Sequence, residues 1–95
     1  MYCFAKNLDE LQTWARAMAI ATARGTPMSD GFVKAMEQVA EFKGGELIRW
    51  ARGQYRSCRD RYEDGEGGIE LLGRAEAFAD IIWANAGLEF GVKED

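Results

Sequence analysis

The sequence predicts an all-α fold: one domain of 95 residues, built as a compact bundle of four helices. Three observations predict it. Apolar residues recur at helical spacing in four long stretches. The chain has a single proline and is rich in the helix formers Ala, Leu, Glu and Arg. Glycine-bearing connections separate the four stretches and are short enough to favour antiparallel neighbours. Hydrophobic residues make up 47 % of the chain, which excludes wholesale disorder. A chain of this length can enclose one core and little more.

The periodicity places the helices at residues 8–24, 30–43, 46–64 and 69–86, with short extended termini. In the first helix, Asn7 is a good N-cap and Asp9 and Glu10 suit the first turn. Leu8, Leu11, Trp14, Ala15, Met18 and Ala21 share a face, Ile20 lies opposite, and Gly25 ends the run. Thr26-Pro27 reads as a turn and Ser29 as the cap of the second helix. Phe32, Val33, Met36, Val39, Ala40 and Phe42 give that helix a wide apolar side, and Gly44-Gly45 ends it.

The third stretch, Glu46 to Asp64, has three unlike faces. Leu47, Ala51, Tyr55, Cys58 and Tyr62, with Ile48 beside them, form a core face. Arg49, Arg52, Arg56 and Arg59 are spaced three, four and three apart, so they neighbour one another in one stripe. Trp50 projects from the other flank, beside Gly53, Gln54 and Ser57. A helix-interior glycine costs about 1 kcal/mol relative to Ala, and something packed closely over Gly53 would explain it.

After the loop DGEGG comes the last helix, with a core stripe of Leu71, Leu72, Ala75, Phe78, Ala79 and Ile82 flanked by Trp83. This reading puts Ala77 and Ile81 on the outer face and makes Glu70–Arg74 a pair one turn apart. Glu76 and Asp80 lie where they can meet the arginine stripe. The terminal segments around Tyr2-Cys3-Phe4 and Phe90–Val92 have enough apolar character to pair as short extended pieces.

The composition narrows the function classes. The net charge of −4 is uneven: residues 46–64 carry +1, and residues 65–95 carry −5. An acidic chain with one local arginine stripe is not a typical nucleic-acid binder, which wants broad positive potential. Two cysteines, Cys3 and Cys58, do not make a disulfide framework, and without histidine they cannot build an ordinary zinc site. Reduced thiols and the lack of a signal-peptide pattern point to the cytoplasm. No stretch is apolar for long enough to span a bilayer.

Catalytic motifs fail on their chemistry. Cys58 has no histidine to activate it. A calcium loop counted from Asp60 would need oxygens at Tyr62 and Leu71. The loop Gly65–Gly68 precedes a helix but carries Asp64 and Glu66, which repel phosphate. The chain is therefore expected to be no enzyme and to need neither cofactor nor metal.

The leading expectation is a protein-binding module, a small inhibitor or regulatory adaptor, of the type that phages and plasmids direct at host machinery. Its partner-binding residues are expected to be Trp50, Gly53 and Ser57, with Arg49, Arg52 and Arg56 alongside, since Trp and Arg dominate binding hot spots. Two alternatives are a helix-turn-helix DNA binder and a structural homo-oligomer such as a homodimer. In the first, Val39 to Trp50 would form the turn and the Arg49–Arg59 helix would read the groove.

Overall fold

The computed structural model describes residues 7–43 and 46–84. Among them are four α-helices, α1 (Leu8–Ala21), α2 (Pro27–Ala40), α3 (Leu47–Glu63) and α4 (Ile69–Ala84), and no strand. The expected extended pieces, Gly44-Gly45, Gly87 and the end of the last helix at residue 86 lie outside the described residues.

Each boundary has a local cause. Asn7 caps α1, its side chain accepting from the Glu10 amide at 2.9 Å. α1 ends at Ala21, a turn before the expected Arg24, because Thr22 turns to extended backbone. The Thr22 amide and hydroxyl both close onto the Met18 carbonyl. α2 begins earlier than residue 30. Thr26, not Ser29, is its N-cap, Pro27 takes the first helical position, and Ser29 completes the reciprocal capping box with Thr26. Thr26-Pro27 is thus a helix start rather than a free turn. The helix ends at Ala40, so Phe42 packs from the connection that follows it.

The packing order differs from the chain order. α4 packs against both α2 and α3, and α1 packs against α2. α2 and α4 are thus the two inner helices, and α1 and α3 pack on their outer sides. That explains why α4 is apolar over most of its circumference while α3 is apolar on one face only. Leu71, Ala75 and Phe78 are buried as expected, but so are Ala77 and Ile81, which the single-stripe reading put outside. Trp83 is instead 72 % exposed, while Leu72, Ala79 and Ile82 are half-buried.

Two glycines make the α2–α4 approach possible. A Cβ at Gly31 would collide with the Glu70 carbonyl oxygen, and one at Gly73 with the Met28 carbonyl oxygen. Both glycines are buried. Around this contact Lys34 pairs with Glu70 at 2.8 Å, and Arg74 donates to the Gln38 side chain at 3.2 Å. Glu70 and Arg74 thus take their hydrogen-bond partners on α2, while the Arg74 charge still favours the ionised Glu70. The core also takes Leu11 and Ala15 from α1, Val33, Met36 and Val39 from α2, and Leu47, Ile48, Ala51 and Cys58 from α3. Ala21, expected in the α1 face, is exposed.

Candidate binding surface on helices α3 and α4

The outward face of α3 is polar and open. Arg49, Arg52, Gly53, Arg56 and Ser57 are all exposed. A Cβ built at Gly53 meets nothing within 4 Å, so no part of the chain packs closely over it. Two members of the arginine stripe take acids from their own helix and that helix's N-cap. Arg49 pairs with Glu46 at 2.9 Å, and Arg59 pairs with Glu63 at 3.4 Å. Arg59 also donates to the Tyr55 hydroxyl at 3.3 Å and stands 5.6 Å from the centre of the Tyr55 ring. Just beyond the stripe, Arg61 reaches Glu66 at 3.7 Å. Among the described residues, Arg49 and Arg59 take Glu46 and Glu63 as partners rather than Glu76 or Asp80.

Trp50 is not a free-standing side chain beside Gly53. Its ring lies 4.7 Å from that of Phe42 and meets Phe78 edge-on at 5.4 Å. Such offset and T-shaped contacts suit the aromatic quadrupole. Trp50 is half-buried at the margin of the core and seals the end of α3 against α4. The expected cluster is therefore split: Gly53, Ser57 and the arginines face solvent, and Trp50 turns inward.

The concave feature lies on the opposite flank of α3. A cavity of about 460 Å³ opens between α3 and α4. Tyr55 and Tyr62 form its α3 wall, and Leu72, Ala75 and Ala79 its α4 wall. Met28 from α2 also lines it, and Arg59, Glu63 and Glu76 bring charge to it. Spacing alone assigns Tyr55, Tyr62, Leu72 and Ala79 to the core. They are half-buried because α3 covers only part of the apolar arc of α4. The readable signal was that arc's width, since Leu72 and Ala79 lie far round the helix from Ala77 and Ile81.

Burial shifts two titratable groups among the described residues. Burial pushes the Cys58 thiol up, and the opposing pull of the Arg74 and Arg61 guanidiniums does not cancel it, so the thiol form dominates at neutral pH. Burial, with Glu76 adding repulsion, raises the Asp80 carboxyl. No group of three or more candidate metal ligands occurs among the described residues. No helix among them is long and apolar enough to cross a membrane. No family model, curated protein or solved structure matches the chain.

Proposed function

We propose that this chain is a non-enzymatic protein-binding module, a small inhibitor or regulatory adaptor working in the cytoplasm. The observation that carries the reading is the α3–α4 cavity, with tyrosines on one wall, aliphatic side chains on the other and charges at its edge. Buried aromatic and aliphatic contact with a charged rim is how protein interfaces gain affinity and orientation. The exposed arginines Arg49, Arg52 and Arg56, with the uncovered backbone at Gly53, form a second, polar face on α3 that is separate from the cavity. Trp50, committed to Phe42 and Phe78, stands behind this surface rather than at its centre.

The helix-turn-helix alternative has less support. Its two helices are normally joined by a turn of roughly three to four residues and pack on each other. Here Glu41 to Glu46 separate α2 from α3, and the principal partner of both helices is α4.

The test is affinity capture from the native host, with and without nuclease, using the wild-type chain, Ala79→Arg to block the cavity and Gly53→Arg to block the α3 face. A nuclease-resistant partner lost with Ala79→Arg supports the reading. Loss only with Gly53→Arg moves the surface to the α3 face. Capture that disappears with nuclease favours DNA.

A further inference from the structure

We infer that the outward stripe of α4 receives a basic amphipathic helix of a partner protein, whose central lysine or arginine meets Glu76; this rests on the protein-binding reading above. Ile69, Leu72, Glu76, Ala79 and Trp83 are spaced three, four, three and four apart, the interval that keeps one seam facing a neighbouring helix. The stripe runs about 21 Å along the axis, enough for several turns of a docked helix. Ile69 is 46 % and Trp83 72 % exposed. Only Ile20 on α1 joins them as a large exposed apolar side chain among the described residues, so two of the three bracket this one stripe. Between them, Leu72 and Ala79 open into the cavity that Tyr55 and Tyr62 wall. Apolar anchors at these intervals beside a concave wall are how a groove receives an amphipathic helix.

Charge decides the occupant. Glu76 is exposed, lies mid-stripe and makes no ion pair among the described residues. The arginine that lines the cavity, Arg59, is held by Glu63 and the Tyr55 hydroxyl. A covered carboxylate left unpaired is costly, so a partner that brings a cation over Glu76 is favoured. The net charge of −4 also steers basic partners toward the chain. A second copy fits poorly. Two-fold antiparallel pairing centred on the stripe would set Glu76 against its counterpart, like charge on like.

The test uses two synthetic amphipathic peptides of about 15 residues, a length matching the stripe. They are identical except for Lys or Glu at the central polar position, and anisotropy measures their binding to the full chain. The wild type should bind the Lys peptide at least about tenfold more tightly than the Glu peptide. Glu76→Lys, an exposed change that leaves the core intact, should reverse that order, and Ala79→Arg should weaken both. Equal affinities, no binding of either peptide, or an order that Glu76→Lys leaves unchanged would each overturn the inference. So would a wild-type dimer, seen by sedimentation, that Ala79→Arg disperses. If the peptides fail while Ala79→Arg still abolishes capture of the native partner, the basic-helix inference falls and the protein-binding reading stands. If capture ignores Ala79→Arg, the cavity itself is the wrong surface.

Discussion

The side-chain amide of Gln12 on α1 donates to the carbonyl oxygen of Phe42, just past the end of α2, at 2.7 Å. The same nitrogen reaches the Val39 carbonyl at 3.0 Å, and Arg16 reaches that of Ala40 at 3.2 Å. The last carbonyls of a helix lack partners within it, so side chains of α1 close the C-terminus of α2. Gln12→Ala should cost about 1–2 kcal/mol, because the part-buried Phe42 carbonyl loses its donor, whereas that of Val39 keeps the Phe42 amide. Urea unfolding would measure it, and an unchanged midpoint would mean that water replaces the amide without loss.

The three helical glycines should respond in opposite directions. Gly53→Ala should stabilise by about 0.5–1 kcal/mol, since Ala is the better helix former and the site is open. Gly31→Ala and Gly73→Ala should each destabilise by about 1–3 kcal/mol, because backbone must move to admit the methyl group. Thermal melts of the three variants would decide it. Stabilisation by Gly73→Ala would mean that α2 and α4 do not approach as closely as described.

The orientation of α4 can be read from two adjacent isoleucines. Ile81 is fully buried and Ile82 half-buried. Ile81→Ala should therefore cost about 2–5 kcal/mol, and Ile82→Ala distinctly less. Phe78→Ala should cost about 3–5 kcal/mol. The reverse order for the two isoleucines would restore the single-stripe orientation and place Ile81 outside.

Acid titration should separate two carboxylates of α4. Glu70 is held below the usual carboxylate range by its hydrogen bond and charge interaction with Lys34. Its contribution is present above the unfolded value of about 4 and is lost as pH falls through the lower folded value. Lys34→Met should therefore destabilise slightly at pH 7, and that deficit should close in acid. Asp80 has the opposite sign. Burial and Glu76 raise its folded pKa, so it costs stability once pH rises above about 4. Asp80→Asn should be stabilising at neutral pH, and the gain should fade below pH 4. Denaturation midpoints across pH would show both, and a gain from Asp80→Asn that persists in acid would assign it to packing.

Local chemistry made much of this protein legible. The number of helices, the Asn7 cap, the buried face of α3 and most of the α1 and α2 faces follow from spacing and capping propensities, which act within a few residues. The exposure of Arg49 and Arg56 agrees with the same spacing, whereas the open space over Gly53 does not follow from it. Which helices touch was a tertiary decision. Gly31 and Gly73 have no local signature of close approach, yet the absence of their side chains lets α2 and α4 meet. That contact buries a second side of α4, brings Ala77 and Ile81 inward, and leaves Leu72, Ala79 and Trp83 toward the cavity and solvent. The surroundings of Trp50 were a tertiary decision for the same reason. A helical position sets the direction in which a side chain leaves its axis, and only the arrival of Phe42 and Phe78 from distant positions determines that it meets protein there rather than water.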